Sequence, residues 1–330
     1  MMSERPKVLV TSRIPDEGMC MLEEHCEVKV FDYEGVFPRD VLLREAKGVD
    51  AIVCLLADKI DGEVMDAAGS QLRVVANYAV GYDNIDVDAA TKRGIMVTNT
   101  PGVLTDTTAD LAWALLLATA RRIVEGDKFL RQGKFKGWKP MLLLGTDVHH
   151  ATLGIIGFGN IGRAVARRAM GFDMKIIYYS AHKAPVELER KLNVEYRPLD
   201  DLLKEADFVS IHVPLTKETR HLIGERELRM MKKEAYLINT ARGPIVDEKA
   251  LAKALKEGWI RGAGLDVFER EPEVEPELLE LDNVVLLPHL GSASYATRAK
   301  MATMAAENAL KALKGEVPPN LVNPEVVMGR

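Results

Sequence analysis

Three polar side chains that could carry out acid–base chemistry each follow a strand-like run of residues. Arg242 follows A-Y-L-I-N-T-A, Glu271 follows L-D-V-F-E-R, and His289 follows N-V-V-L-L-P. A guanidinium can hold a carboxylate and a carbonyl oxygen in its planar fork, and an imidazole exchanges a proton near neutral pH. A carboxylate beside that imidazole would orient it and favour its protonated form. These residue types suit proton transfer to a substrate that carries a carboxylate.

Each of these residues has a simpler explanation when it is taken alone. Arg242 could be a surface cation, Glu271 a turn residue before Pro272, and His289 the end of a strand after Pro288. In an open α/β sheet, however, functional groups collect beyond the carboxyl ends of the strands. Because all three follow strand-like runs, we expect them to meet at one edge of a sheet.

A glycine-rich stretch at 152–162, T-L-G-I-I-G-F-G-N-I-G, predicts a cofactor. A short apolar strand runs into G-x-G-x-x-G, and apolar residues recur at helical spacing behind it. Gly157 would allow a tight turn, Gly159 the approach of a pyrophosphate, and Gly162 close packing of helix on strand. The alternative is an ordinary glycine-rich turn, but the flanking strand and helix favour a dinucleotide at a helix N-terminus.

Strand-like and helical stretches alternate along the chain, which predicts an α/β fold with parallel sheets and helices on both faces. The 330 residues are too many for one ordinary core, so we expect two domains. The stretch 105–131 is predicted to be one helix, apolar nearly all round and therefore buried, either within its own subunit or between two subunits. The segment 132–150 is predicted to be irregular, and the tail at 318–325 to extend away.

Composition and charge exclude several classes of protein. Apolar residues make up 47% of the chain and charged residues 28%, as in folded globular proteins. A net charge of −5 argues against a nucleic-acid partner, and the longest apolar run, 111–120, is too short for a membrane span. We expect no metal site. The start of the chain lacks an apolar signal segment, and Cys20, Cys26 and Cys54 lack C-x-x-C spacing, so we expect buried free thiols in a cytoplasmic protein.

Over essentially its whole length the chain resembles the D-isomer-specific 2-hydroxyacid dehydrogenase family, and within it the glyoxylate/hydroxypyruvate reductases. The motifs that carry the resemblance are the fingerprint at 157–162, N-Y-A-V-G-Y-D-N-I-D at 77–86, T-A-D-L-A-W at 108–113, H-V-P-L-T at 212–216, N-T-A-R-G at 239–243, G-L-D-V-F-E-R-E-P at 264–272 and P-H-L-G-S-A at 288–293. Together they are specific for the family and less specific for the substrate.

The resemblance implies a Rossmann-type cofactor domain at 101–291, inserted into a flavodoxin-like substrate domain made of 1–100 and 292–330. Active-site closure would be a hinge motion between these domains. The family's homodimers pair through the cofactor domain, which favours a subunit interface for the helix at 105–131.

The resemblance also implies the reaction, the reduction of a small 2-keto acid such as glyoxylate or hydroxypyruvate. Arg242 would clamp the carboxylate, His289 would donate the proton, and Glu271 would support His289, while the nicotinamide would carry the hydride. The remaining substrate contacts implied in this way are backbone N–H groups of Val80 and Gly81 and the side chains of Leu56, Ala57 and Trp138, with Trp138 reaching into the neighbouring subunit's pocket.

The implied cofactor contacts lie in the family motifs, and Asp266 matches the residue that orients the nicotinamide amide. The full set is Gly157, Phe158, Gly159, Asn160, Ile161, Gly162, Ser180, Ala181, His182, Val213, Pro214, Thr240, Ala241, Arg242, Asp266, His289 and Gly291. NAD-binding relatives place Asp or Glu at the end of the second strand, where this chain has Ser180. Ser180 with His182 or Lys183 therefore favours NADP(H), and NAD(H) stays possible because Ala181 replaces the Arg that is usual in NADP-preferring relatives.

Other activities of the same superfamily stay open as alternatives. Phosphite dehydrogenases carry a Lys where this chain has Val80, and formate dehydrogenases usually carry Gln where it has Glu271. Long phosphoglycerate dehydrogenases add a regulatory domain for which 330 residues leave no room. The alternatives that remain are another D-2-hydroxyacid dehydrogenase, a phosphite dehydrogenase-like enzyme, and a dinucleotide-sensing binding protein that keeps the same three polar residues.

Overall fold

The computed structural model describes residues 5–31, 35 and 37–328. Residues 1–4 lie outside the described residues, and the prediction that the chain starts without a signal segment falls partly on them. The chain forms two compact units, one comprising the residues up to Leu104 and those from Ser292 onward, the other comprising Thr105–Gly291. The domain boundaries predicted from the sequence fall after residues 100 and 291. Which unit binds the substrate stays a prediction.

The first unit contains a five-stranded parallel sheet in which the strands, counted along the chain, take the order 2-1-3-4-5. This is the order of the flavodoxin-like fold. Strands 3 and 4 are buried along their whole length because helices cover both faces of a parallel sheet. The strands are β1 (Lys7–Val10), β2 (Glu27–Val30), β3 (Ala51–Cys54), β4 (Val74–Asn77) and β5 (Met96–Thr98).

Four helices connect these strands, and a longer one returns from the end of the chain. The connecting helices are α1 (Asp16–His25), α2 (Arg39–Glu45), α3 (Gly62–Ala68) and α4 (Val87–Lys92). The C-terminal helix (Tyr295–Leu313) packs on α1, and a Cβ on Gly18 would lie 2.5 Å from the carbonyl oxygen of Ala302. Only glycine permits this close crossing, so α1 and the C-terminal helix complete one core.

The tail of the chain does not extend away, and that prediction is wrong. Leu321 pairs with Thr98 in an antiparallel bridge. The buried amide of Asn323 accepts a hydrogen bond from the backbone N–H of Val97 (2.8 Å) and donates one to the carbonyl of Ile95 (2.9 Å). The tail therefore satisfies backbone groups at the outer edge of β5, and a last helical turn, Glu325–Met328, follows it.

The second unit contains a seven-stranded parallel sheet. Its strands are β6 (Thr152–Ile156), β7 (Lys175–Tyr179), β8 (Val194–Tyr196), β9 (Phe208–Ile211), β10 (Tyr236–Asn239), β11 (Gly262–Leu265) and β12 (Val284–Leu286). Their order is β12-β11-β10-β9-β6-β7-β8, so the direction of winding reverses between β6 and β9. This is the doubly wound Rossmann order extended by one strand, and ligands bind such sheets beyond the carboxyl ends of the strands at that reversal.

The predicted helix at 105–131 is two helices, because Arg122 adopts a left-handed backbone (φ 53°) between them. The first of them packs inside the second unit: Trp113 and Leu116 are buried in its core, and the indole N–H of Trp113 donates to the carbonyl of Val165 (3.1 Å). The first half of the stretch is therefore a core helix of its own subunit. The helices of this unit are α5 (Thr105–Ala120), α6 (Ile123–Arg131), α7 (Asn160–Ala169), α8 (Val186–Leu192), α9 (Leu199–Glu205), α10 (Glu225–Met230), α11 (Glu248–Glu257) and α12 (Pro276–Leu279).

The cysteines only partly follow their prediction. Cys26 and Cys54 are buried and free, whereas Cys20 is free but exposed on α1. Within the described ranges no helix is long and apolar enough to cross a membrane. The same residues contain no group of three His, Cys, Asp or Glu side chains that could hold a metal ion.

Candidate active site

The glycine-rich turn lies at the reversal of the second sheet, between β6 and α7. Gly157 has φ 98°, and a Cβ there would lie 2.6 Å from the backbone carbon of His212. A Cβ on Gly162 would lie 2.1 Å from the carbonyl oxygen of Gly157, so both positions require glycine. A Cβ on Gly159 would meet no described atom within 4 Å, and no described side chain caps the N-terminus of α7. This terminus therefore offers backbone N–H groups to an anion, which fits a dinucleotide pyrophosphate.

The residues predicted to surround the rest of the dinucleotide follow neighbouring strands at the same edge. Ser180 directly follows β7 and is half-buried, whereas Ala181, His182 and Lys183 are exposed. The Lys183 ammonium lies 4.6 Å from the centre of the Tyr196 ring, a cation–π distance. The hydroxyl oxygen of Thr240, after β10, is buried without a hydrogen-bond partner among the described residues. Such a group fits a ligand contact, because buried hydroxyls are normally paired.

His289 and Glu271 form a direct pair at this edge of the sheet. Nδ1 of His289 lies 2.8 Å from Oε2 of Glu271, and Oε1 of Glu271 accepts a hydrogen bond from the backbone N–H of Phe268 (3.0 Å). Burial raises the pKa of Glu271, but the hydrogen bond and charge of His289, the Phe268 N–H and the charge of Arg242 outweigh that effect and hold it below its ordinary value. Glu271 is therefore a carboxylate near neutral pH, where it stabilises a protonated imidazole.

Asp266 positions the backbone that carries His289, which the sequence did not predict. Its two carboxylate oxygens accept hydrogen bonds from the backbone N–H groups of Leu290 (2.6 Å) and Gly291 (2.8 Å). Its carbonyl accepts another from the N–H of His289 (2.9 Å), whose φ of 55° is left-handed. A non-glycine residue in that conformation is uncommon and needs such support. The predicted contact of Asp266 with the nicotinamide amide stays a prediction.

Arg242 lies in the turn after β10. The buried side chain of Asn239 accepts from the N–H of Ala241 (3.0 Å) and donates to the carbonyl of Arg242 (3.0 Å), which closes the turn. One guanidinium nitrogen of Arg242 donates to the carbonyl of Ala241 (2.8 Å). Arg242, Glu271 and His289 thus all follow strands at the carboxyl edge of this sheet.

The sequence also missed a pair beside the glycine turn, formed by the buried Ser210 and the half-buried His212. Nε2 of His212 lies 2.8 Å from the hydroxyl oxygen of Ser210. Burial lowers the pKa of His212 from its ordinary 6.5 to about 3, so this imidazole is neutral in the folded protein. The H-V-P-L-T motif marks the position but does not show that the ring points inward. Val213 and Pro214, predicted to contact the cofactor, follow His212 in the same loop.

The loops of the first unit that carry predicted substrate contacts are tied together by asparagines. The amide of Asn84 donates to the carbonyls on either side of Leu56 and Ala57, those of Leu55 (3.0 Å) and Asp58 (3.1 Å). The loop with Val80 and Gly81 is held in the same way, by Asn99 on the carbonyl of Val80 (2.8 Å) and Asn77 on that of Gly81 (2.7 Å). Both loops follow strands at the carboxyl edge of their own sheet.

Trp138 lies in the irregular segment after α6. Its side chain is 81% exposed, and Phe135 and Met141 beside it are exposed as well. Within the second unit it therefore packs against little, and its substrate role in a neighbouring subunit's pocket stays a prediction.

The family model of the D-isomer specific 2-hydroxyacid dehydrogenase NAD-binding domain matches residues 113–291. The chain belongs to this family, and it is an oxidoreductase with a nicotinamide dinucleotide cofactor. A glyoxylate reductase of Thermococcus gammatolerans is 58% identical over 98% of this chain and 97% of its own. A solved structure from Thermus thermophilus is 46% identical, covers 96% of this chain and 99% of its own, and has a TM-score of 0.90. The structure of an NADPH-dependent glyoxylate/hydroxypyruvate reductase from Sinorhizobium meliloti, in complex with NADP and malonate, is 36% identical, covers 98% of this chain and 98% of its own, and has a TM-score of 0.85.

Proposed function

We propose that the protein reduces a small 2-keto acid, glyoxylate or hydroxypyruvate, to the 2-hydroxy acid. The observation that carries the proposal is the His289–Glu271 pair, 2.8 Å apart, at the sheet edge that also holds Arg242 and the glycine turn. A relative 58% identical over nearly the whole chain is a glyoxylate reductase, which supports the choice of substrate.

When bound, the nicotinamide supplies the hydride. Arg242 holds the substrate through its planar fork of N–H donors and stays charged throughout. Because Nδ1 of His289 contacts Glu271, Nε2 is the nitrogen left to donate a proton to the carbonyl oxygen as negative charge develops there. The carboxylate of Glu271 favours the protonated ring before the transfer and keeps it oriented. The roles of Leu56, Ala57, Val80 and Gly81 in substrate binding belong to the proposal as the resemblance implies them.

The proposal includes a preference for NADPH over NADH. Ser180, at the carboxyl end of β7, presents a hydroxyl where a carboxylate would repel a 2′-phosphate, and exposed His182 and Lys183 follow it. Asp173 cannot take the place of that carboxylate, because it precedes β7 at the opposite end of the strand. The NADP-bound relative from Sinorhizobium meliloti is in keeping with this preference.

The proposal also includes a homodimer in the cytoplasm. Large apolar side chains are exposed along α6 and the segment that follows it, and such a concentration is typical of an interface. They are Ile123, Val124, Leu130, Phe135, Trp138, Met141 and Leu144. The three unpaired cysteines suit a reducing compartment.

A steady-state panel tests the proposal. Glyoxylate, hydroxypyruvate, pyruvate, formate and phosphite are each assayed with both nicotinamide cofactors by the nicotinamide absorbance. We expect the highest kcat/KM for glyoxylate or hydroxypyruvate with NADPH, and none for phosphite, because Val80 is not a cation. Tight NADPH binding without turnover of any 2-keto acid would instead indicate a dinucleotide-sensing protein and would refute the proposal.

A further inference from the structure

Glu271 lies in a tight turn, and the chain on either side of that turn (its two arms, at Glu269 and Glu275) donates hydrogen bonds to one buried carboxylate. The turn runs from Arg270 to Glu273 and is closed by a hydrogen bond from the N–H of Glu273 to the carbonyl of Arg270 (2.8 Å). Glu248, the first residue of α11, is only 6% exposed. One of its carboxylate oxygens accepts a hydrogen bond from the N–H of Glu269, before the turn, and the other accepts from the N–H of Glu275, after it (3.3 Å).

The contact between α11 and the turn is reciprocal. The backbone N–H of Glu248 donates to Oε1 of Glu269 (3.0 Å), so the side chain of each residue binds the backbone of the other. Glu269 also pairs with His221 (3.1 Å) and faces Arg220 (3.9 Å), while Glu275 faces Arg270 (3.7 Å). Arg220 and Arg270 thus lie near the two neighbouring carboxylates, while burial and the charges of Glu269 and Glu275 raise the pKa of Glu248.

The arrangement connects the start of α11 to the proton donor. Among the described residues of the turn, Glu271 alone has a side chain that contacts His289, at 2.8 Å. A Cβ on Gly243, next to Arg242, would lie 1.9 Å from the backbone carbon of Phe268, so the segment between β11 and the turn packs directly against the Arg242 loop. On the side that faces α11, Glu248 holds the turn by accepting hydrogen bonds from the backbone before and after it.

We propose that Glu248 is a positioning residue for the reaction: by holding both arms of the turn, it sets the distance between Glu271 and His289. The proposal rests on the proposed function of that pair. Among the described residues, Glu248 bonds to the turn and Glu271 of the turn bonds to His289, so Glu248 acts on the proton donor through Glu271. A misplacement of about 1 Å at a reacting group can cost about 10²-fold in rate, which makes such support consequential.

The test variant is Glu248→Gln, which keeps the shape but puts an amide NH₂ against one of the two N–H donors. With glyoxylate and NADPH we expect kcat to fall about tenfold or more and KM to stay near the parent value. We also expect the rate of reduction to be lost at a lower pH than in the parent. Asp207→Asn is the matched control, because Asp207 accepts from the N–H of Thr152 (2.8 Å) at the opposite, amino edge of the same sheet. The control should leave the pH profile unchanged.

A double-mutant cycle separates positioning from general loosening of the fold. In the Glu271→Gln background, adding Glu248→Gln should produce no further shift of the pH profile, because the carboxylate through which Glu248 acts is gone. A shift of equal size in both backgrounds, or a parent-like profile in Glu248→Gln, overturns the proposal. If Glu248→Gln does not fold, Glu269→Ala removes the acceptor of the reciprocal bond and should shift the profile in the same direction.

An NMR titration of the imidazoles makes the test independent of the substrate. His289 is assigned by the signal lost in His289→Asn, and its titration midpoint is compared in the parent and Glu248→Gln. A lower midpoint in the variant supports the positioning role even if glyoxylate and hydroxypyruvate are not turned over, an outcome that would refute only the proposed function. An unchanged midpoint refutes the positioning role.

Discussion

His289 and Glu271 are 18 residues apart in the chain, yet Nδ1 of one lies 2.8 Å from Oε2 of the other. The contact is made by two loops that follow adjacent strands, β11 and β12. It commits one nitrogen of the imidazole to a carboxylate and leaves the other for proton transfer.

Replacing His289 by asparagine should lower kcat for glyoxylate reduction by at least about 10²-fold, because general acid catalysis typically contributes that much. Asparagine is the suitable replacement, since it tolerates the left-handed backbone that His289 adopts. His149→Asn, which changes an exposed histidine of the same unit, is the control. Full activity of the His289 variant at an unchanged melting temperature would remove this residue from the mechanism.

Glu271→Gln should move the pH optimum for reduction to lower values. The carboxylate favours the protonated imidazole that reduction needs, so without it the ring loses its proton at a lower pH. Rates of reduction are measured across the pH range at saturating substrate and cofactor. A profile identical to that of the parent would show that the contact seen in the structure does not control protonation.

Ser180→Asp should weaken NADPH binding strongly while sparing or improving NADH. A carboxylate at the end of β7 repels a 2′-phosphate and accepts hydrogen bonds from ribose hydroxyls. The ratio of kcat/KM for the two cofactors measures the effect, with Asp173→Asn, at the other end of β7, as the control. A parent protein that already uses NADH as well as NADPH would contradict the proposed preference.

His212 should make the folded protein sensitive to acid. Its pKa is lowered by burial from 6.5 to about 3, so below pH 6.5 the unfolded chain binds a proton that the folded protein does not. Stability should therefore fall as the pH falls through this window, by up to about 1.4 kcal/mol per pH unit from this group. His212→Gln, which cannot be protonated, should flatten urea-unfolding stability against pH, and the exposed His25→Gln should not. An equal slope in both variants would show that His212 does not titrate in this way.

Charged residues on the segment after α6 should disrupt a dimer. Leu116 is unsuitable for this test, because it is buried in the core of its own unit and a charge there would unfold the protein. Phe135→Glu combined with Met141→Glu should instead give folded monomers by light scattering. Trp138→Ala should raise KM without splitting the dimer. A parent protein that is already monomeric would exclude both effects.

The sequence alone was sufficient to predict the elements that depend on short-range requirements of the backbone. The fingerprint from Gly157 to Gly162 predicts its own strand, turn and helix, because close backbone approaches at these two glycines exclude any Cβ. Asp247 caps the N-terminus of α11, since its side chain accepts from the N–H of Ala250 (3.0 Å), and Asp is a residue type that favours this position. The order of Arg242, Glu271 and His289 after successive strand-like runs likewise placed them at one sheet edge, because parallel strands all end on the same side.

Tertiary packing decided the rest. A helical pattern does not show a left-handed residue such as Arg122, so the break between α5 and α6 was invisible in the apolar run. Nor does periodicity show which partner covers an apolar helix, and only the packing of Trp113 and Leu116 placed α5 in its own core. Buried polar contacts over long separations have no local pattern at all: Asn323 on β5, Asp266 behind His289 and Glu248 beneath Glu271 each satisfy backbone groups that meet only when the chain is folded. The sequence by itself determined which groups could do the chemistry, and the tertiary structure determined which groups hold them in place.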